Sequence, residues 1–502
     1  MDLSRSACYR AVLARDDRYD GRFFTCVKTT GVFCRPICPA RPPKLENCAF
    51  VPTTAAAQAA GFRPCLRCRP ESSPDLDAWR GTSATVSRAL KMIEGGALDD
   101  EGDVASLADR LEIGERQLRR VFRHHIGATP VTVAQTRRLL LARQLIHQTD
   151  LPMIDVALGS GFRSVRRFYE TFQQIYGRAP SALRRRRTAT VTSPSPQISL
   201  FLPYRPPYDW AAMIRFLEAR AIAGVERVAK DSYSRVIELG NATGSITLAH
   251  APDQSALRAI VRFPHLNALP LIIARIRRMF DLSAEPAAII AALSADPILR
   301  PLISARPGLR LPGGWDGFEI AIRAVLGQQI TLKEATLLAG RIVSALGKPV
   351  ADSIDIPGLT HAFPRPERFK RNSLAAIRMP RARAAAIQSL AAATIANPHL
   401  FDPRPDLADA VARLRGFPGI GEWTAQYIAM RALGESDAFL AGDVGIQRRL
   451  AQNGRRPTAS ELLVRAEHWR PWRAYAVLHL WMAEGPIPQI LSRKETNHAL
   501  AA

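Results

Sequence analysis

Between Leu414 and Asp443 the chain reads L-R-G-F-P-G-I-G-E-W-T-A-Q-Y-I-A-M-R-A-L-G-E-S-D-A-F-L-A-G-D. Gly416, Pro418, Gly419 and Gly421 stand between two segments whose apolar residues recur at helical spacing. Glycines so closely set make a tight turn between helices and let the backbone approach another molecule, because no Cβ intervenes. The N–H groups at the start of the following helix then face outward, and the helix dipole adds to them, which suits a phosphate. Asp443 stands just ahead of the next helical run. A phosphate clamp beside a carboxylate points to chemistry on a nucleic acid. The plainer reading is a connecting loop with Asp443 as an ordinary helix N-cap.

The charge balance agrees with a nucleic-acid partner. Sixty-nine Lys and Arg face forty-five Asp and Glu, a formal net charge of +24. Arginine, the majority cation, suits phosphate contacts. A solubilising surface or a membrane-surface binder would have the same balance. No run of 18 or more apolar residues and no signal peptide is read. The expectation is therefore a cytoplasmic, nucleoid-associated protein with no membrane contact. The 502 residues suffice for three or four domains, each with its own core.

All seven cysteines lie at or before Cys68. Cys34 and Cys38 form one close pair, and Cys65 and Cys68 a second, of the form C-x2-C. Two close pairs separated by a medium loop fit tetrahedral Zn2+. Cys8, Cys26 and Cys48 lack such partners and read as buried small apolar residues. Spacing alone favours a closed site that only folds a small domain.

The flanking residues add more. Thr29 to Pro43 reads T-T-G-V-F-C-R-P-I-C-P-A-R-P-P, and Ala60 to Pro70 reads A-G-F-R-P-C-L-R-C-R-P. With Arg15, Asp16, Asp17, Asp20 and Gly21, these stretches resemble the N-terminal domain of the Ada adaptive-response protein. The resemblance implies that Cys34, besides holding zinc, takes a methyl group from a methylphosphotriester in DNA and is consumed in doing so. Zinc-bound sulfur is held as the nucleophilic thiolate. Four thiolates on one Zn2+ have a net charge of about −2. Methylating one removes a negative charge, so DNA affinity should rise. Relatives of this kind often have a second acceptor cysteine for O6-methylguanine; with no cysteine after Cys68, that activity is excluded here.

Two helix-turn-helix patterns follow. Val104, Leu107, Ala108, Leu111, Leu118 and Phe122 keep helical spacing around a turn at Gly114, and the second helix has Arg116, Arg119, Arg120 and Arg123. A second copy places Arg163, Arg166 and Arg167 at the start of a helix that Ser164 can cap. Recognition helices read base edges with their N-terminal residues. The run G-F-R-S-V-R-R-F from Gly161, with Phe172, Gly177 and Pro180, resembles the AraC-type transcription-factor signature. A helical bundle with solvated arginines is the plainer reading. Arg184 to Arg187 either touch phosphates or form a solvated end. Thr188 to Gln197, T-A-T-V-T-S-P-S-P-Q, is uncharged and Ser/Thr/Pro-rich, and predicts an extended, semi-rigid linker over 188–205.

Beyond it, alternating runs such as Ser245–Leu248 and Ala259–Phe263 predict half-buried strands, and from Arg306 onward nearly everything reads as helix. Three stretches resemble 3-methyladenine DNA glycosylase II: A-R-P-G-L-R-L-P-G from Ala305, F-E-I-A-I-R-A-V-L-G-Q from Phe318, and the hairpin, a signature of the helix-hairpin-helix superfamily. The resemblance implies a flipped nucleotide whose sugar becomes oxocarbenium-like. Asp443 would stabilise that sugar by its charge. Trp423, Tyr427 and Trp481 would hold a cationic alkylated base by stacking and cation–π attraction, although aromatics at helical spacing are usually core. Bifunctional relatives place a Schiff-base lysine where Trp423 stands, so strand cleavage is not expected. Gln329 occupies the position of the family's apolar wedge, and Gly442 stands where an acidic residue precedes the catalytic aspartate in a relative. His468 and His479 read as core or surface histidines, not ligands.

The expected fold class is multidomain and mainly α. Residues 1–76 form a small zinc-bound α+β domain that accepts methyl groups, and 82–187 an AraC-type double helix-turn-helix domain. After the 188–205 linker, 206–303 form a small α+β domain and 304–490 an all-α helix-hairpin-helix glycosylase domain. The expected activity is alkylation repair by a monofunctional 3-methyladenine glycosylase, joined to a methylphosphotriester-sensing regulator. Zn2+ is the only cofactor expected. Damaged and promoter double-stranded DNA are the expected partners, RNA polymerase is a candidate, and the chain is taken as a monomer. One alternative is a regulator whose glycosylase-like half only binds DNA. Another is an enzyme whose zinc and helix-turn-helix parts are tethers.

Overall fold

The computed structural model describes residues 4–70, 73, 84–99, 102–184, 197–350, 356–369, 374, 377, 379–402, 404, 406–452 and 454–483. Arg185 to Arg187, the 188–196 part of the expected linker and the 484–490 end of the expected glycosylase domain lie outside these residues.

In the N-terminal unit, α1 (Arg5–Ala14) and α2 (Thr54–Ala59) accompany a four-stranded sheet of β1 (Phe24–Val27), β2 (Val32–Cys34), β3 (Cys48–Val51) and β4 (Arg63–Pro64). The strand order is β3-β1-β2-β4. β2 and β4 run parallel, with Phe33 opposite Pro64. Cys34 ends β2 and Cys65 follows β4, so parallel pairing delivers both sulfurs to the same end of the sheet. Cys8, Cys26 and Cys48 are buried, as expected of small apolar residues.

Six helices follow: α3 (Ala84–Glu94), α4 (Val104–Arg110), α5 (Glu115–Ile126), α6 (Pro130–Gln148), α7 (Met153–Gly159) and α8 (Val165–Tyr176). α4–α5 and α7–α8 are the two helix-turn-helix pairs, joined by the long α6. Ser164 caps α8 by accepting the Arg167 N–H at 3.1 Å. Leu107, Leu118, Phe122 and Ile126 bury the first pair against α3.

The expected linker ends earlier than 205. Gln197–Pro203 is strand β5, with Ile198, Leu200 and Leu202 buried in alternation. The Ser/Thr/Pro-rich composition drew the boundary too far along, over residues whose alternation belongs to a sheet edge. β5, α9 (Trp210–Glu218), β6 (Glu226–Ala229), β7 (Ser232–Leu239), β8 (Ala242–Ala251) and β9 (Ala256–Arg262) build an antiparallel sheet of order β5-β9-β8-β7-β6. α10 (Leu269–Met279) packs on it. The halves on either side of the linker share an interior. Phe162, Phe168 and Phe172 of the second helix-turn-helix pair, with Ile146 of α6, lie in one core with Ile198, Leu200, Leu257 and Ile272.

The remainder is helical: α11 (Pro286–Leu293), α12 (Leu299–Ala305), α13 (Gly317–Leu326), α14 (Leu332–Leu346), α15 (Arg381–Ala396), α16 (Leu407–Arg415), α17 (Glu422–Ile428), α18 (Val444–Arg449), α19 (Ala459–Ala466) and α20 (Arg473–Met482). A short pair of strands, Lys348–Pro349 with His361–Ala362, interrupts them. Gly308 explains part of the Ala305–Gly313 motif: a Cβ there would meet Asp209 N at 2.6 Å, so only glycine lets the segment cross the start of α9 so closely.

Buried ion pairs tie the sheet to the helices. Arg235 of β7 bonds Glu319 of α13 at 2.7 Å, and Arg323 bonds Glu319 at 2.6 Å and Glu226 at 2.5 Å. Arginines also tie the N-terminal unit to the rest. Arg143 of α6, fully buried, donates to Cys65 O at 2.9 Å. Arg205 donates to Arg18 O at 2.8 Å and also to Asp20 O, and meets Glu285 at 3.2 Å. Much of the arginine charge therefore has internal partners rather than facing DNA.

Candidate functional site

The glycine turn joins α16 to α17 as the sequence predicts. Gly416, Gly419 and Gly421 are exposed, and Gly419 has φ 77°, in the left-handed region that favours glycine. Ile420 anchors the turn in the helical core. Gln328, just past α13, braces it from outside, donating through Nε2 to Gly419 O at 2.8 Å and Thr424 Oγ1 at 3.0 Å. Its neighbour Gln329 is exposed, in the loop before α14, with φ 57°. A non-glycine residue held there stores backbone strain of about 1–3 kcal/mol, a common property of functional loops.

Asp443 caps α18, as the plainer reading had it: Oδ1 accepts the Ile446 N–H at 3.0 Å. A capping role does not account for the rest of its surroundings. Oδ1 also accepts the Trp481 indole N–H at 3.2 Å, and Oδ2 accepts that of Trp423 at 3.0 Å. The side chain is neither buried nor fully exposed. Asp437, by contrast, is clamped by Arg470 and Arg473.

The three predicted aromatics gather around this carboxylate. Trp423 and Tyr427, one helical turn apart on α17, stack at 5.2 Å with rings 14° from parallel. Trp481 of α20 lies 6.5 Å from Tyr427. All three are partly exposed rather than core. The aromatic faces and the carboxylate form one surface suited to a planar cation beside a developing positive charge.

Sequence reasoning missed the arginines behind this wall. Arg431 donates to the Tyr427 hydroxyl at 2.7 Å, and also to Pro312 O and Gly313 O. Arg220 lies over the Phe216 ring at 3.6 Å, and burial pulls its pKa down to about 10. Burial opposes ionisation of the Tyr427 phenol, but Arg431, Arg220 and Arg323 together bring its pKa below the ordinary tyrosine value. The available signal was an arginine four residues after Tyr427, on the same helical face, inside an apolar run.

Of the histidines, His479 is buried and His468 exposed. The predicted recognition-helix arginines, Arg116, Arg119 and Arg120 on α5 and Arg163, Arg166 and Arg167 at the start of α8, are exposed. Arg119 pairs with Glu115 and Arg166 with Glu170, surface contacts that solvent screening keeps weak and that leave the guanidinium groups available.

In the N-terminal unit, the ligand atoms of Cys34, Cys38, Cys65 and Cys68 lie within 4.8 Å of one another. Four converging thiols from two close pairs fit Zn2+, and these residues hold it. Arg35 N–H bonds Cys68 Sγ at 3.3 Å and Arg67 N–H bonds Cys65 Sγ at 3.4 Å. The Ala40 N–H faces Cys38. Among the described residues no N–H bonds Cys34 Sγ. Cys34 is 9% exposed. Arg35 is itself held by Asp20, which is buried, and by Cys68 O at 3.2 Å.

Comparison with known proteins extends this picture. Residues 7–71 match the metal binding domain of Ada, residues 107–186 a helix-turn-helix domain, and residues 199–316 the AlkA N-terminal domain. A probable bifunctional transcriptional activator/DNA repair enzyme AlkA of Mycobacterium tuberculosis is 41% identical over 486 residues, 96% of this chain and 97% of its own. DNA-3-methyladenine glycosylase 2 of Escherichia coli is 36% identical over 287 residues, 57% of this chain and 97% of its own. The bifunctional transcriptional activator/DNA repair enzyme AdaA of Bacillus subtilis is 32% identical over 178 residues, 35% of this chain and 81% of its own.

Proposed function

For a chain that belongs to the AlkA family of bifunctional transcriptional activator/DNA repair enzymes, we propose a two-part division of labour. The C-terminal half hydrolyses the N-glycosidic bond of alkylated bases such as 3-methyladenine and leaves an abasic site without cutting the strand. The N-terminal half senses methylphosphotriesters in DNA and regulates transcription through its helix-turn-helix pairs. Damaged and promoter duplexes are the partners, RNA polymerase is the expected recipient of the activating contact, and the chain works as a monomer.

The observation that supports the repair reading best is the pair of indole N–H groups on the Asp443 carboxylate. They hold an acid within the aromatic wall where a flipped base would lie. An alkylated purine is cationic and a good leaving group. As it departs, Asp443 offsets the charge that grows on the sugar, and water adds to the anomeric carbon. Trp423, Tyr427 and Trp481 supply faces for the base. The exposed glycines of the hairpin, Gly416, Gly419 and Gly421, receive the DNA backbone, while Gln329 enters the duplex at the gap. A polar, strained residue at that position supports extrusion by hydrogen bonding more than by apolar wedging. Trp423 offers no amine to the sugar, which supports base removal without a Schiff base.

In the N-terminal half, bound zinc keeps the sulfurs as thiolates at neutral pH. Cys34 is the proposed acceptor. Its Sγ attacks the methyl carbon; the S–C bond forms as the bond from that carbon to the phosphate oxygen breaks, and an ordinary phosphodiester anion leaves with the oxygen still on phosphorus. The N–H groups at the other three sulfurs disperse their charge, which supports Cys34 as the most nucleophilic. The proposed domain limits follow the expectation, except that the glycosylase half begins at β5.

The test uses methylated duplex DNA with the whole chain. The expected products are free alkylpurine and abasic sites, with intact strands and no borohydride-trapped protein–DNA adduct. Peptide mass analysis should then find a methyl group on Cys34. Strand breaks with trapping would overturn the monofunctional reading, and methyl on Cys38 in place of Cys34 would overturn the acceptor assignment.

A further inference from the structure

Helix α3 belongs to the first helix-turn-helix unit by its core, with Leu90 and Ile93 buried there. Its polar residues point elsewhere. Lys91 Nζ donates to Gly434 O at 3.0 Å, across 343 residues of chain. Arg88 faces Glu435 at 3.7 Å. Both acceptors sit at the end of the segment that carries two of the pocket aromatics. α17 continues past Ile428 as a single π-turn, Ala429–Leu433, and stops at Gly434 with φ 68°.

A π-turn is an uncommon, weakly held form of helix, and the last carbonyls of any helix lack partners within it. A cation donating to a carbonyl just past that end satisfies the acceptor and complements the helix dipole. Within the π-turn, Arg431 holds the Tyr427 hydroxyl at 2.7 Å, and its own carbonyl accepts the Gly314 N–H at 2.9 Å. The segment is thus pinned at its end from the regulatory half, while its middle sets the position of a pocket ring. Beside these ties lies a cleft of about 440 Å3, lined by Lys91, Asp281, Phe318, Met430 and Leu433.

We infer that Lys91, a residue of the regulatory half, is a positioning residue for base excision: it fixes the end of the π-turn and, through Arg431, the attitude of Tyr427 in the pocket. The inference rests on the glycosylase reading above. It makes the excision rate of the fused chain depend on how α3 is docked, so that a change in the regulatory half reaches the pocket without touching DNA.

The experiment compares whole-chain wild type, Lys91→Met, Lys91→Arg and Asp443→Asn. It measures single-turnover release of 3-methyladenine at saturating protein, duplex affinity, and thermal unfolding. Lys91→Met should slow release by roughly tenfold, the scale of a small misplacement at a reacting site, with duplex affinity unchanged and the thermal midpoint lowered only by the few degrees that one lost hydrogen bond costs. Lys91→Arg keeps a donor for Gly434 O and should restore most of the rate. Equal rates for wild type and Lys91→Met would overturn the inference and leave the glycosylase reading standing. Slow release with a matching loss of affinity and no rescue by arginine would mark a general packing defect and also overturn it. A wild type that releases no more base than Asp443→Asn would remove the glycosylase reading, and the inference with it.

Discussion

Replacing Asp443 by Asn separates its two roles, because the amide keeps most of the structure and loses the charge. Asn is as good an N-cap as Asp, so the bond to Ile446 survives, and the Trp481 indole can still donate to the same oxygen. On the other side an NH2 replaces Oδ2 and meets the Trp423 N–H, which lies 3.0 Å from that atom in the wild type. Two donors face to face lose one hydrogen bond and leave a part-buried polar group unsatisfied, at a cost of about 1–3 kcal/mol. The thermal midpoint should therefore fall by about 2–12 °C, at about 2–4 °C per kcal/mol for a domain of this size. The effect on rate is larger. A carboxylate about 4 Å from a unit charge, at an effective dielectric constant of about 20, stabilises it by about 4 kcal/mol. Losing that term slows the reaction by roughly 10³-fold. The assay is single-turnover abasic-site formation in end-labelled duplex, read by alkaline cleavage, with duplex binding and unfolding measured on the same samples. Release by Asp443→Asn within tenfold of wild type, at equal duplex affinity, would refute the electrostatic role.

His479 is buried in α20, and burial pulls its pKa down to about 4 from an ordinary 6.5. The unfolded chain then takes up a proton below pH 6.5 that the folded chain refuses until about 4, so stability should fall by up to about 3 kcal/mol across that window. Asp281, raised to about 6 by burial, works in the opposite sense as pH falls from 6; urea unfolding of wild type and His479→Met at pH 7 and 4.5 isolates the histidine, and identical pH dependence would contradict its assignment. Glu319→Gln leaves Arg235 and Arg323 without a buried counter-charge they both use, and should cost about 3–5 kcal/mol in chemical denaturation. Stripping zinc with a chelator should expose residues 4–70 to limited proteolysis and abolish methyl transfer, since the binding energy that holds the unit folded is lost and the sulfurs return to thiols; protection equal to the loaded protein would count against a structural zinc.

The cysteine pairs, the two helix-turn-helix units and the hairpin were legible because each is written within a few tens of residues, in spacing and turn chemistry. Asp443 stood out by the same local pattern, whereas Trp423 and Tyr427 were expected only from the resemblance; the structure places both beside it. Trp481, on a helix 38 residues further on, was reached by resemblance, since nothing local separates a pocket tryptophan from a core one. The sequence reading went astray where partners are distant. Arg143, Arg205, Arg235 and Arg431 count toward the positive charge just as surface arginines do, but each is buried against carbonyls or carboxylates far away in the chain. Composition has no means of assigning them. β5 was lost differently: its alternation I-S-L-F-L was readable, but the proline- and threonine-rich residues before it extended the linker over it.

Phe168 and Phe172 on one side, and Leu200 and Leu257 on the other, leave the operator-reading helices and the base-removing half with a single interior. Two tools joined by a string can each hunt for their own target; two tools forged on one handle keep a fixed bearing. If the arginines of α8 grip a stretch of duplex, as proposed, the arc of DNA that the blade can reach is set by that shared interior and not by the length of a string.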